Sequence, residues 1–562
     1  LREFEKIMKS LLLFFLFTPV FFSQTKIDSL YNKYLDLHQK KIPSLSTADA
    51  ASTETENRKC GFGIENGVRL GINSFSPEQQ KILKTYFVRP LLDTSIVSPS
   101  GFFRIHYNTA ADIPNFSVQE LAKALDSSFA FEVNYLGFLP PPKDLGDGGD
   151  DKYDVYVHPM GRGIYGNTNS ENEIAKGSQT FYSYIEMDNA FAGYPTTGIN
   201  AARVTAAHEL HHAIQIGNYI LRESDTEIYD LYFYELTSTS MEEFVFDSIN
   251  DYYYYLKTNG YFNFTDHAFG SNDGYNLAVW NIFLKDKFDF GIIRRQWELM
   301  RTYRALAAID RSLIERKSSF LEAYNEFGLW AYYTNYRTVS GKYFDEAANY
   351  PLVKPEMAVN FSGTSVPVNI SHPVTSTCYV KVISSLNTPK DTLYFILSNF
   401  ELESGINNLN KMLSSSLTLS SVKQSGYTQI SPDYYFLFTA DNPYFWKTSS
   451  VFDSVVVRDS QVVNLASQAP FPSPFQYGRN TTIKIPFTGN FDEEVSLEIF
   501  SISMNKVYGE TVTLLRDPIK ETAVVEWNGL SNKKEKLATG VYLYFIKSYE
   551  RTSLGKLVIV NE

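Results

Sequence analysis

"AAHELHHAIQ", Ala206–Gln215, places three of the chain's eight histidines within five positions. His208 and His212 stand four apart with Glu209 beside the first, the pattern H-E-x-x-H. On a helix, residues i and i+4 stack on one face, so both imidazoles reach one ion. Neutral imidazole nitrogen suits Zn2+, and a catalytic site keeps one coordination position for water. Glu209 lies about 100° round the helix from His208, placed to accept that water's proton rather than to bind the metal. The wider stretch "VTAAHELHHAIQIG" has no proline, and Gly217 reads as its C-terminal cap. His211 points off the metal-facing stripe and reads as a supporting or surface residue. The competing reading is a solvated polar helix face.

Zinc needs a third protein ligand. No histidine follows at the spacing of H-E-x-x-H-x-x-G-x-x-H, and position 218 is Asn. A carboxylate from the next helix is the alternative. "FYELTSTSMEEF" offers Glu235, Glu242 and Glu243. Glu235 and Glu242 are seven apart and share a face, so periodicity does not choose between them. Glu242 and Glu243 also read as an acidic pair on a helix surface.

Several stretches resemble known families. "ELTSTS" is similar to the segment of glutamate zincins in which the ligand Glu precedes small residues, with Leu236 where that pattern has Gly. This resemblance implies Glu235 as third ligand, with Glu242 as the alternative. "KCGFG", "GFFRIHY", "LGFLPPPKDLGDGGDDKYDVYV", "YSYIEMDNAF" and "VTAAHELHHAIQ" follow the order seen in a family of secreted bacterial zinc metalloproteases defined from sequence, over roughly residues 58–300. At the C-terminus, a Pro-rich opening, a Trp-Asn-Gly turn, "ATGVYLYFI" and a basic-apolar end occur in that order. The stretch resembles the C-terminal sorting domain of the bacterial type IX secretion system. That implies transport across an outer membrane to the surface or medium, with the secretion machinery as a partner and outer-membrane anchoring as one outcome. A plain Ig-like module is the other reading of these strands.

The bulk numbers bound the rest. At 562 residues the chain exceeds one compact core, so several units are expected. A net charge of −12 without clustered Lys and Arg argues against nucleic acid as the main partner. "MKSLLLFFLFTPVFFSQ", from Met8, has one Lys and an apolar run from Leu11 to Phe22, too short to span a bilayer and suited to a signal peptide. The expected fold is multidomain. Residues 1–24 form the signal and 25–98 a pro-segment or N-terminal extension. An α+β zincin-like peptidase domain over 99–345 is followed by a β-sandwich over 346–462 and an Ig-like sorting domain over 463–562.

Weaker signals complete the reading. Tyr275 and His267 are candidates to stabilise an oxyanion, against a packing role for Tyr275 and a surface role for His267. "RKCGFG" is similar to the R-C-G core of the matrix metalloprotease cysteine switch, with Lys59 inserted, so Cys60 is a candidate latency ligand. A Cys60–Cys378 disulfide or two separate thiols are the alternatives. "GDGGDDKYD", Gly146–Asp154, concentrates carboxylates as calcium sites do, but reads equally as a solvated acidic turn. The expected function is a secreted or surface zinc endopeptidase. Its rivals are an inactive zincin scaffold serving adhesion or glycan binding, and a zinc hydrolase of cell-wall amides.

Overall fold

The computed structural model describes residues 25–38 and 59–561, apart from short internal stretches at 144, 161–162, 258–259, 272, 362–364, 385–391, 421–427, 432–433, 454–469, 488–492, 502–504, 517–522 and 549–551. The expected signal peptide and the polar stretch before Lys59 lie outside the described residues. The chain divides into two compact units, Leu1–Val455 and Val456–Glu562. It is a multidomain, mixed α/β protein with several β-sheets.

The first unit is built on a five-stranded sheet. Strands β1 (Thr94–Val97), β2 (Phe103–Tyr107), β3 (Tyr153–His158), β4 (Gly166–Glu173) and β5 (Phe181–Asp188) lie in the order β1-β2-β3-β5-β4. The β2-β3 and β3-β5 pairs are parallel, whereas β1 and β4 run antiparallel to their neighbours. The boundary expected at residue 98 therefore cuts the sheet, because β1 pairs with β2 from Thr94 onward. β2, β3 and β5 carry aliphatic and aromatic residues that fill the core, as their sequences suggest. β4 does not: "GNTNSENE" is polar, yet Asn167, Thr168, Asn169 and Ser170 are all buried.

Of the helices, α2 (Phe62–Leu70), α4 (Val118–Phe129) and α5 (Gly198–Asn218) pack on this sheet, and α6 (Leu231–Val245) packs on α5. α1 (25–38) and α3 (Pro77–Leu83) share a separate small core of Tyr34, Val68, Phe75 and Leu83. α5 carries the histidine cluster and is buried through most of its length, between the sheet, α4 and α6. A helix enclosed on all sides needs no amphipathic stripe, which explains its weak periodicity. Its approach to β4 requires a glycine. A Cβ on Gly166 would lie 2.8 Å from Thr205 Cγ2 and 2.9 Å from Glu209 Cγ. Gly217 is not the cap expected of it. α5 continues through Asn218, and Gly217 makes room for Pro142, whose Cδ would lie 2.3 Å from an added Cβ. Asn218 Nδ2 donates to Leu139 and Pro140 carbonyls, tying "FLPPP" to the end of α5.

After α6 come α7 (Tyr253–Lys257), α8 (Ala278–Lys287), α9 (Phe290–Met300), α10 (Ala305–Glu315) and α11 (Phe320–Tyr332). Two four-stranded sheets then share a core of Phe361, Val380, Phe395, Leu397 and Leu417. One contains β6 (Met357–Phe361), β8 (Thr377–Ser384), β9 (Thr392–Asn399) and β13 (Trp446–Asp453); the other contains β7 (Ser365–Pro373), β10 (Met412–Ser420), β11 (Thr428–Ser431) and β12 (Tyr434–Ala440). α11 packs on the first of them. Tyr379 OH donates to the Gly328 carbonyl at 2.6 Å, and Asn325 reaches β9 and β13. The second unit holds a five-stranded and a three-stranded sheet around Ile485, Leu497, Trp527, Ile546 and Ile559. Among the described residues no helix is long and apolar enough to cross a membrane.

Candidate metal centre

α5 presents His208 and His212 one turn apart, as their spacing requires. α6 brings Glu235 against them. His208 Nε2 and His212 Nε2 lie 3.1 Å apart, and Glu235 Oε2 lies 3.2 Å from the first and 3.3 Å from the second. Three ligands held at zinc's usual bond lengths in a tetrahedron stand about 3.3 Å from one another. The triangle therefore has the size of three ligands on one zinc ion.

The far sides of both rings are fixed. His208 Nδ1 lies 2.7 Å from Glu242 Oε1, so it donates to a carboxylate and leaves Nε2 as the lone pair facing Glu235. Glu242 is therefore not the alternative ligand but the group that orients His208. Its other oxygen takes Lys59 Nζ at 2.5 Å, and Lys59 also reaches Asp251 at 2.6 Å. His212 Nδ1 lies 2.7 Å from Gln215 Oε1, and the Gln215 amide nitrogen donates to the Tyr234 carbonyl. Two nitrogen lone pairs and a carboxylate thus converge on one point, which demands positive charge.

The titration of the site expresses the same demand. Burial would raise Glu235, but the His212 charge and the hydrogen bonds to both imidazoles hold it down at about 2. Burial pulls His208 down, yet hydrogen bonds to Glu235 and Glu242 outweigh it and lift it to about 9. A proton or a divalent cation satisfies the triangle, and the imidazole–imidazole–carboxylate donor set suits zinc. Replacing Glu242 with Gln should weaken zinc binding about 10- to 100-fold, since such outer partners set ligand orientation and basicity. Competition with a chromophoric chelator measures this, and an unchanged affinity would remove Glu242 from the site.

Glu209 lies on the β4 side of the helix. The Thr168 hydroxyl donates to its Oε2 at 2.7 Å. Sequence reading missed Thr168 because polar β4 gave no strand signal. Lys59 also went unrecognised as a partner, since it reads only as an insertion beside Cys60. Gln215 was accessible to reasoning: it sits three residues after His212, on the same helical face.

The other candidates separate cleanly. His211 is fully buried, pointing at Glu132 Oε2 2.8 Å away and edge-on to Phe138 and Trp297. Burial, then the neighbouring histidines, pushes His211 well down, and burial pushes Glu132 well up. Tyr275 is buried at the site, its ring 6.1 Å from that of His208 and its hydroxyl accepting the Cys60 N–H at 3.1 Å. Burial, then Glu235 and Cys60, raises the Tyr275 phenol well above its ordinary value. His267 is exposed, stacks on Phe264 and is not in the ligand cluster.

Cys60 and Cys378 are separate buried thiols, so the expected disulfide alternative is wrong. Cys378 donates to Glu356 at 3.0 Å. Cys60 instead joins the histidine triangle: its sulfur and the ligand atoms of His208, His212 and Glu235 all lie within 4.8 Å of one another. Among the described residues, the acidic loop is not in a cluster of metal-ligand side chains: Asp150 pairs with Arg104 and Lys152, and Asp154 pairs with Arg89 and lies 2.7 Å from His106 Nε2.

Glu243 corrects the reading of a surface pair with Glu242, because both are buried. Burial, then Glu346 and Asp247, lifts Glu243 from 4.5 to about 9. Between those values the fold holds a proton that the unfolded chain has lost, so this group lowers stability as pH rises through that window. Glu243→Gln should therefore melt higher than the parent at about pH 8 and match it near pH 4. An equal gain at both pH values would contradict the buried-acid account.

No family model matches the chain, and no curated protein does. Two solved structures bear a weak likeness, both from Porphyromonas gingivalis. One is PorZ, a bacterial surface component of the type IX secretion system, at 12% identity and a TM-score of 0.15, covering 33% of this chain and 23% of that one. The other is dimeric latent PorU, at 12% identity and a TM-score of 0.14, covering 35% and 20%. This chain spans less than a quarter of either protein's length.

Proposed function

We propose that this protein is a secreted or surface-bound zinc endopeptidase. In this reading the five-stranded sheet with α5 and α6 is a zincin-like scaffold. The observation that carries it is the triangle of His208 Nε2, His212 Nε2 and Glu235 Oε2, with sides of 3.1–3.3 Å. Zinc held there would polarise a water molecule and the scissile carbonyl. Glu209 accepts the proton of the attacking water and passes it to the leaving amine. Thr168 holds the Glu209 carboxylate in place, and Glu242 and Gln215 keep both imidazoles presenting Nε2. Tyr275, beside the triangle, is placed to donate to the developing oxyanion once its hydroxyl is released from the Cys60 N–H.

Export belongs to the same proposal. The apolar N-terminal stretch suits a signal peptide, and the C-terminal strand pattern suits a type IX sorting domain with the secretion machinery as partner. The net charge of −12 suits peptide rather than nucleic acid as substrate. The test is incubation of the processed, zinc-loaded protein with an unbiased peptide library and with peptidoglycan. Peptide cleavage supports the proposal. Release of cell-wall amides alone would move the assignment to a cell-wall hydrolase, and silence on both would favour a surface-binding scaffold.

A further inference from the structure

We infer that Cys60 is a fourth ligand of this centre and that the segment Lys59–Leu70 holds the protein latent by closing the metal site and the adjoining sheet edge together. The inference rests on the metal centre proposed above.

The thiol lies beside the triangle. Its sulfur belongs to the same 4.8 Å cluster as the other three ligand atoms. Three protein ligands leave one position on a tetrahedral zinc, and a thiolate there turns an open site into a closed one. Sulfur binds as thiolate, its proton passing to solvent, and release reverses this. Backbone contacts fix the direction. The Cys60 N–H donates to Tyr275 OH at 3.1 Å, and the Phe62 N–H points at Sγ from 3.4 Å. The Cys60 thiol donates to Asn167 Oδ1 on β4 at 3.9 Å, beside Thr168, which holds the Glu209 carboxylate, so the sulfur lies between the triangle and the strand that carries the proposed base's partner.

The same segment fills the outer edge of β4. An edge strand offers unpaired backbone groups to an extended peptide. Here the Tyr165 N–H donates to the Lys59 carbonyl at 2.8 Å, and Cys60 bridges to Gly166 in parallel. The Asn66 side chain then imitates a strand. Its Nδ2 donates to the Thr168 carbonyl at 2.9 Å, and its Oδ1 accepts the Ser170 N–H at 2.8 Å. These are the backbone groups next to Glu209, where a bound peptide would present the bond to be cut. Phe62 completes the plug, stacked on His212 at 4.1 Å between ring centroids. One short stretch thus takes the place of both water and substrate. With the sulfur–metal bond gone, the contacts of Cys60, Phe62 and Asn66 along β4 are ones that a competing peptide can replace. Lys59 stays held by Glu242 and Asp251 as the anchor of the segment.

The test uses the full chain loaded with Co2+ in place of zinc, compared with Cys60→Ser and with Cys378→Ser as a thiol control. The parent and the Cys378→Ser protein should show a thiolate-to-cobalt charge-transfer band in the near ultraviolet, and Cys60→Ser should lose it while still binding cobalt. Zinc-loaded Cys60→Ser should hydrolyse peptides above the parent's background. A parent that binds cobalt without the band overturns Cys60 as a ligand and leaves the three-ligand centre standing. A band with no gain of hydrolysis in Cys60→Ser overturns latency and makes the sulfur a permanent ligand. Failure of the parent to bind cobalt at all overturns the metal centre itself. The parent's spectrum decides the ligand question even if the variant folds poorly.

Discussion

Glu209→Gln should abolish most peptide hydrolysis while zinc stays bound. General acid–base catalysis of this kind contributes about 10²- to 10⁴-fold, and the loss should fall in that range. The amide is nearly isosteric and still accepts the Thr168 hydroxyl, so the packing of α5 against Gly166 survives. It cannot take a proton from water at neutral pH. The effect should therefore appear in kcat rather than in metal content, because none of the three triangle atoms belongs to Glu209. Steady-state kinetics of the processed protein, with zinc measured in the same samples, separates the two. Full activity in the variant would remove Glu209 from the chemistry.

The second large effect concerns stability. Lys59 is buried between Glu242 and Asp251, at 2.5 and 2.6 Å, with its ammonium 4.7 Å from the Tyr165 ring centroid. Asp251 also accepts the Tyr165 hydroxyl, so a chain of contacts runs from Tyr165 through Lys59 and Glu242 to His208. Lys59→Met keeps the length of the side chain and removes the charge. Two buried carboxylates then lack their cation, a change that costs roughly 3–5 kcal/mol in comparable sites. Glu242, no longer held by Lys59, would orient His208 less firmly, so zinc affinity should fall as well. Chemical unfolding of the full chain and chelator competition read the two effects. A destabilisation below about 0.5 kcal/mol would place Lys59 among ordinary surface residues.

The histidine helix was legible because helical spacing alone puts His208 and His212 on one face. β2, β3 and β5 were legible for a similar reason, since apolar side chains mark their buried positions. β4 was hidden by its chemistry: its buried residues meet Asn66 and Glu209 rather than aliphatic neighbours, so polar letters spell a buried strand. Glu235 and Glu242 could not be separated by period. What separates them is depth along α6, which puts Glu235 at the Nε2 side of His208 and Glu242 at the Nδ1 side. Lys59 was unreadable because its partners lie 183 and 192 residues away. Cys60 was visible as a candidate, but only the fold brings α2's leading residues to the triangle.

Metal analysis of the full chain, paired with anomalous scattering at the zinc edge, tests most directly whether the triangle holds zinc. One zinc per chain is expected, with its anomalous peak between His208 Nε2, His212 Nε2 and Glu235 Oε2. A chain that folds without binding zinc, or binds it away from these three atoms, would contradict the proposed centre.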